Sequence, residues 1–369
     1  MKYNWQQDDW PDFHYDISRF QDVSFVFAEK TGYVSGLLKG LPDPMKTEAI
    51  INLMVSEAVK TSEIEGEYLN RSEVMSSIRH NLGLDEDKES VADQRAKGAA
   101  DLMVDIHNGF KETLTKEKLF DWHKMLLSGQ HRRIEIGAWR THEEPMQVVS
   151  GPIGKWKVHF EAPASEKVPE EMERFINWFN STALGDKNEI KNPVLRAAIA
   201  HLYFESIHPF EDGNGRIGRA LSEKALSQNL GRPILLSLSE TIEKNKKAYY
   251  NALKTAQRSN EITEWIIYFL STIIEAQTRA EENIVFILKK TKFFDQFENQ
   301  LNERQLKVIR RMLEKGIDGF EGGMSTKKYV AITGASKATA ARDLQYLTEI
   351  GVFKQTGGGR STRYEVYLG

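Results

Sequence analysis

Apolar residues recur at spacings of three and four over most of this chain, the period of an amphipathic helix. One predicted helix starts near Thr47 and carries Ile50, Ile51, Met54, Val55 and Ala58. Another opens at Asn192-Pro193, an N-cap followed by proline at the first helical position, with Leu195, Ile199 and Leu202 in one stripe. A third follows Gly215 through Ile217, Leu221 and Leu226 and stops near Gly231-Arg232-Pro233. Two more are predicted, from about Thr241 to Gln257 and from about Thr263 to Lys290.

The pattern changes twice. Between Met146 and Phe160 two short β-prone runs flank Gly-Pro-Ile-Gly, which predicts a β-hairpin, with Pro163 and Pro169 bracketing its exit. After a linker near Phe293 to Gln300 comes a helix from Asn302 to Lys315 and a glycine-rich loop. A short helix follows from Ser325 to Thr333-Gly334, then a longer one from Ser336 to Gly351. Two strands around a glycine turn close the chain, and the whole tail reads as a winged helix.

Composition narrows the chemistry. The chain has no cysteine, which excludes disulfides, thiolate metal sites and cysteine nucleophiles, and it fits a reducing compartment. The N-terminal MKYNWQQDDWPDFHYD is not of signal-peptide type, and no apolar run approaches the roughly 20 residues of a membrane helix. The expectation is a soluble cytoplasmic protein with no membrane partner. Net charge is −3, but Leu301 to Gly369 holds 12 Lys+Arg against 7 Asp+Glu, leaving +5 on the tail and −8 on the remainder. A basic module on an acidic body suggests two jobs.

One constellation is dense with chemistry: His208-Pro-Phe-Glu-Asp212-Gly213-Asn214-Gly215-Arg216-Ile-Gly-Arg219. A histidine ends one helix, and Pro209 stops it. Gly-Asn-Gly then opens the next helix, where backbone N–H groups and the helix N-terminus favour an anion. Arg216 and Arg219 share one helix face and reach further phosphates. Asp212 stands where it can hold a Mg²⁺ bridging phosphate oxygens, and His208 faces the phosphate as a general base. Nothing here matches a P-loop. The reaction class is transfer of a phosphate-containing group to an acceptor hydroxyl.

The segment HPFEDGNGRIGR resembles the Fic motif at every defining position. PMQVVSGPIGKWKVHFEAP upstream is similar to the flap of Fic proteins, and Tyr249-Tyr250 to the segment that helps form their adenine pocket. DWPDFHYD and TSEIEGEYLN resemble the helical N-terminal extension of bacterial members, and the tail the winged helix often fused behind it. The resemblance implies a mainly α fold: a helical extension over 1–112, a Fic core with a β-hairpin flap over 113–292, and a winged helix over 301–369. It implies a protein adenylyltransferase that moves AMP from ATP, with Mg²⁺, to a Ser, Thr or Tyr hydroxyl of a target protein docked along the flap.

The same resemblance assigns the site. His208 deprotonates the target hydroxyl. Asp212 binds Mg²⁺. Gly213, Asn214 and Gly215 form the anion hole, with Asn214 assisting by its side chain. Arg216 and Arg219 bind the nucleotide phosphates, Tyr249 and Tyr250 the adenine, and Phe210 packs inward as the loop's anchor. Some relatives carry an asparagine near the adenine where Gln257 stands here.

Upstream, Thr61-Ser-Glu-Ile-Glu65-Gly66 matches [S/T]xxxE[G/N], which resembles the inhibitory helix of autoinhibited members. Thr61 and Glu65 are its key residues. Independently, Glu63, Glu65 and Glu67 crowd a helix C-terminus, against the macrodipole, so at least one of them needs a cationic partner.

The alternatives are a Fic enzyme that transfers or removes another phosphate-containing group, and a nucleotide-sensing DNA-binding regulator. For the tail, DNA contact through Lys337, Arg342, Arg360 and Arg363 stands beside a protein-interaction or homodimer role. Lys155 and Lys157 are read as either phosphate or target contacts or a solvated strand face. His107, His123, His142, His159 and His201 lack zinc-site spacing and are read as structural.

Overall fold

A computed structural model describes residues 2–84, 92–127, 129, 134–151, 156–314 and 316–369, the side chains of Ser150 and Arg360 excepted. The chain is mainly α-helical, with two short β-hairpins among the described residues. It divides into two compact units: Met1–Gly36 with Ile50–Ala280, and Leu37–Ala49 with Glu281–Gly369.

The larger unit draws on α1 (Gln21–Lys39), α2 (Asp43–Ile64), α3 (Arg71–Asn81), α4 (Gln94–Gly109) and α5 (Lys116–Leu127). The hairpin follows as β1 (Gln147–Ser150) and β2 (Lys157–Glu161). Then come α6 (Val168–Ser181), α7 (Pro193–Ile207), α8 (Asn214–Leu230), α9 (Leu238–Lys244), α10 (Lys246–Ala256) and α11 (Thr263–Phe297). The starts are capped as their side chains dictate. Asn192 accepts from Val194 and Leu195 N–H with Pro193 at the first helical position, and Asn70 and Asp93 cap α3 and α4.

At the centre lies α7, buried from Val194 to Ile207, packed on α8. Gly218 permits that approach. A β-carbon there would stand 2.6 Å from Glu205 Oε1 and 3.3 Å from the His201 ring. Gly218→Val is expected to destabilise the chain by about 1–3 kcal/mol through overpacking, measured by urea unfolding. A midpoint equal to that of the natural chain would show that the two helices do not need this gap.

The predicted hairpin is present, antiparallel, with Val148 opposite Phe160 and an irregularity between Val148 and Val149. Residues 152–155 of its turn, Lys155 included, lie outside the described residues.

Two expectations are corrected. The helix expected from Thr241 to Gln257 is two, broken at Asn245 (φ −130°, ψ 44°). Glu57 fixes the start of α9, accepting from Ser237 Oγ (2.8 Å) and Ser239 N–H (2.9 Å), while Lys246 at the start of α10 donates to the Ile64 carbonyl. The stretch Phe293–Gln300 is not an open linker. α11 runs through to Phe297, with Phe293 in the second hydrophobic core and Phe294 and Phe297 packed against it.

In the smaller unit, α12 (Glu303–Leu313), α13 (Thr326–Thr333) and α14 (Lys337–Glu349) precede antiparallel β3 (Phe353–Thr356) and β4 (Arg363–Val366). Met324 bridges to Tyr364 on β4, and the core is built around Val308, Ile309, Tyr329, Leu344, Leu347 and Val352. Among the described residues, no helix is long and apolar enough to cross a membrane.

Candidate active site

The site begins where α7 stops. His208 takes the left-handed conformation (φ 52°, ψ 59°), with its N–H on the Phe204 carbonyl at 2.9 Å, and Pro209 prevents any further turn. Arg140, 1% exposed, ties this turn down. Its Nε donates to the His208 carbonyl (2.9 Å), its Nη1 to Ser165 Oγ (2.8 Å) and its Nη2 to the Pro163 carbonyl, while its own N–H donates to the Pro209 carbonyl (3.0 Å). Burial pushes its pKa down to about 10.

The next loop is braced from both sides. Phe210 is fully buried and stacks on His123 at 4.1 Å and 15°. His123 Nδ1 accepts from the Gly137 N–H (2.9 Å), so its proton is on Nε2, which donates to the Asp212 carbonyl (3.2 Å). Burial lowers its pKa to about 4, keeping the ring neutral. Asn214 closes the loop, its Oδ1 accepting from Phe210 N–H (2.9 Å) and its Nδ2 donating to Phe210 O (2.8 Å).

α8 starts from Gly213 at φ 84°, and its first intrahelical bond runs from Ile217 to Gly213. The N–H groups of Asn214, Gly215 and Arg216 therefore have no acceptor within the helix and form an anion seat. A carboxylate stands beside that seat. Glu65 Oε1 occupies the space a β-carbon on Gly215 would need and accepts from Arg219 Nη2 at 2.8 Å. Arg219, 1% exposed, also donates from Nε to Thr61 Oγ1 (2.8 Å) and from Nη2 to the Thr61 carbonyl (3.0 Å). Burial alone would lower its pKa, but Glu65, Tyr249 and Tyr250 together raise it.

The end of α2 explains how Glu65 arrives there. Gly66 takes φ 83°, its N–H bonds Glu63 O, and the Glu67 N–H bonds Ser62 O. This is a Schellman turn, which needs a left-handed residue where glycine stands. It carries Glu65 and Glu67 to the same side. Glu67 accepts from Arg216 Nη1 at 2.7 Å, and Glu63 pairs with Lys60 at 2.6 Å. Each of the three acids crowding this helix end thus has a cation.

Glu205, one turn before His208, places Oε2 3.6 Å from His208 Nδ1, beyond hydrogen-bond length but close enough to orient the ring electrostatically. Burial would raise the Glu205 pKa, but His208, His201 and Arg219 outweigh it and hold the carboxyl below its ordinary value. A cleft of about 630 Å³ opens over these groups, walled by Val148, Lys157 and His159 of the hairpin and by Lys246, Tyr249, Tyr250 and Gln257.

Residues 113–226 match the model of the Fic/DOC family. That segment is a Fic/DOC domain. Residues 3–84 also match a domain of unknown function, DUF4172. Over 149 residues this chain is 26% identical to a protein adenylyltransferase Fic of Nematostella vectensis, covering 40% of the chain and 30% of the relative. It is 27% identical over 147 residues to a probable protein adenylyltransferase of Aquifex aeolicus, covering 40% of the chain and 38% of the relative. It thus spans well under half the length of these curated relatives. A Fic family protein of Desulfovibrio desulfuricans shares the fold at TM-score 0.51 and 19% identity, covering 94% of this chain and 96% of that one. A Fic domain containing signaling protein of Bacteroides thetaiotaomicron does so at TM-score 0.52 and 21% identity, covering 70% and 95%.

The cleft brings together His208, Asp212, Gly213, Asn214, Gly215, Arg219, Tyr249, Tyr250 and Glu65. Arg216 and Thr61 stand behind them as partners of Glu67 and Arg219. Two assignments are corrected. The Asn214 side chain is spent on Phe210 rather than turned to the cleft, and the Gly213 N–H already bonds Asp212 Oδ1 (2.7 Å), so the seat moves one residue along. Tyr249 is 1% exposed with its hydroxyl on His201 Nε2 (2.7 Å), leaving Tyr250 as the more open ring. Gln257 donates to the Glu205 carbonyl at 3.2 Å.

Arg140, Lys246 and Glu205 belong to no motif in the sequence, and His123 is expected from it only as a structural residue. Of these, Glu205 carried a legible signal, its i−3 spacing from His208 on one helix.

Proposed function

We propose that this chain transfers AMP from ATP to a Ser, Thr or Tyr hydroxyl of a target protein and is restrained by Glu65. The observation that carries the reading is the Glu65 carboxylate bonded to the buried Arg219 and standing against Gly215 in the first turn of α8, where it competes for the space and the cation a phosphate would use. The adenylyltransferase names of the curated relatives supply the reaction class.

In this reading the target hydroxyl gives its proton to His208 Nε2 as its oxygen attacks the α-phosphorus. The bond between the α-phosphorus and the oxygen bridging to the β-phosphate breaks, and pyrophosphate leaves. N–H groups of Asn214, Gly215 and Arg216 cradle the phosphates, Arg219 takes the γ-phosphate, and Tyr250 faces the base. Glu205 keeps the His208 ring turned so that Nε2 meets the cleft. The hairpin offers strand edges to an extended target segment.

A resident metal does not fit, since no group of three or more His, Asp or Glu that would hold one occurs among the described residues. One carboxylate, Asp212, does suit a Mg²⁺ that arrives with a nucleotide, because that ion leans on substrate phosphates and keeps its waters. When bound it neutralises charge on the leaving pyrophosphate.

The reading is tested with ATP labelled at either the α- or the γ-phosphate. Protein-bound label from the α position alone supports AMP transfer, and label from the γ position alone overturns it in favour of phosphate transfer. Asp212→Ala is expected to lower transfer, and excess EDTA to abolish it in the natural chain. Undiminished labelling in EDTA would remove the cation from the mechanism.

A further inference from the structure

We propose that the smaller unit is a winged-helix module that binds double-stranded DNA, with α14 in the major groove and the β3–β4 turn against the adjoining backbone. This goes beyond the transfer reaction and does not depend on it.

The charge is placed for such a partner. Residues 301–369 carry +5 against −8 for the rest of the chain. Before Glu349, Asp343 is the single acid of α14, and it is turned inward, 7% exposed. It accepts from Arg304 Nε (2.7 Å), Tyr329 Oη (2.8 Å) and Gln305 Nε2 (3.2 Å). The outward face of α14 therefore presents Lys337, Ala338, Ala341, Arg342 and Gln345, with no carboxylate over that stretch. Lys337 has no partner among the described residues, and Arg342 reaches only the Ala338 carbonyl of its own helix at 3.4 Å.

The shape agrees. A helix about 10–12 Å across enters a groove about 12 Å wide only if its facing side chains are small. Ala338 and Ala341 provide that, and their methyls suit contact with thymine methyl groups. Gly334 at φ 71° ends α13, and Ser336 caps α14 through the Thr339 N–H (3.1 Å). This short turn fixes one helix behind the other, as helix-turn-helix readers do. At the hairpin, Gly357 (φ 73°) and Gly359 (φ 56°) make a slender tip, and a β-carbon on Gly357 would stand 2.7 Å from the Ser361 carbonyl. Lys354 is exposed on the strand leading into it.

A protein-docking face would need an apolar centre with aromatic anchors. Here the centre is alanine flanked by cations, and the exposed Tyr346 lies toward the far end of the helix. The observations favour DNA.

The test uses the full chain and a fluorescein-labelled 30-base-pair duplex of mixed sequence, followed by anisotropy. Saturable binding is expected at 50 mM salt. It should weaken by about tenfold to a hundredfold at 200 mM, as for a few phosphate contacts released against counterions. Lys337→Glu with Arg342→Glu should cut affinity at least about tenfold and flatten the salt slope by about 2, with unchanged helical circular dichroism. Glu349→Lys, which extends the basic face, should tighten binding. The proposal is overturned by no binding at 50 mM salt, or by binding that neither the double substitution nor Glu349→Lys changes. It is equally overturned if the double substitution abolishes self-association, seen by sedimentation, while DNA binding is absent. Transfer of α-label is scored separately, so either reading can fail alone.

Discussion

His208→Ala is expected to lower AMP transfer by about 10²–10⁴-fold, the usual contribution of a positioned general base, while ATP still binds. Binding should survive because the anion seat on α8, Arg219 and the tyrosine wall do not depend on the imidazole. The obvious objection is folding. His208 sits at φ 52°, a region L residues avoid, and Arg140 fixes that turn by its carbonyl. Alanine there adds strain of its own. His208→Asn separates the two effects, since asparagine tolerates the left-handed conformation by local hydrogen bonding yet cannot take the proton. The asparagine variant should melt near the natural chain, bind ATP with similar affinity by calorimetry, and fail to transfer. If it transfers within a few-fold of the natural chain, His208 is not the base.

The motif and its immediate neighbours were legible because their information is local. Caps, a proline and glycines define where α7 ends and α8 begins, and three acids on one helix end require a cation. What stayed hidden is what holds the motif in place. Arg140 lies 68 residues from His208 and bonds to carbonyls, which every residue possesses, so no residue type in the sequence marks its partner. His123 reaches Asp212 across 89 residues, again by a carbonyl. The break at Asn245 has no glycine or proline to announce it and coincides with tertiary bonds from Glu57 and Lys246. The supposed linker misled for the opposite reason. Its polar residues hid Phe293, Phe294 and Phe297, whose burial belongs to a second core visible only once the units are folded. Local rules thus marked out the motif, and long-range contacts to main-chain groups decided its geometry.

Glu65→Gly is expected to raise transfer by about 10–150-fold over a weakly active natural chain. The estimate rests on the bond that is lost: hydrogen bonds to charged groups contribute about 1.5–3 kcal/mol, and coupling of that size shifts an equilibrium by this factor. The site gives reason to use the full range. Arg219 is 1% exposed, and Glu65 is the largest of the groups that raise its pKa against the burial that would depress it, so this is not a solvated surface pair. A carboxylate and a γ-phosphate cannot share that guanidinium in one geometry, and the carboxylate also covers Gly215 on the anion seat. Neighbouring acids provide graded controls. Glu63 pairs with Lys60, and its side chain is 24% exposed against 30% for the lysine, so Glu63→Gly should change little, as partly exposed pairs contribute about 0–1 kcal/mol. Glu67 holds the deeply buried Arg216, yet Arg216 stands behind the cleft, so Glu67→Ala should activate less than Glu65→Gly. Thr61→Val, which removes the hydroxyl that receives Arg219 Nε at 2.8 Å, should loosen the same clamp and activate in the same direction. The measurement is the initial rate of α-label incorporation for all five chains at saturating ATP. Rates ranked Glu65→Gly first and Glu63→Gly level with the natural chain support the clamp; equal rates throughout would mean that Glu65 does not restrain the enzyme.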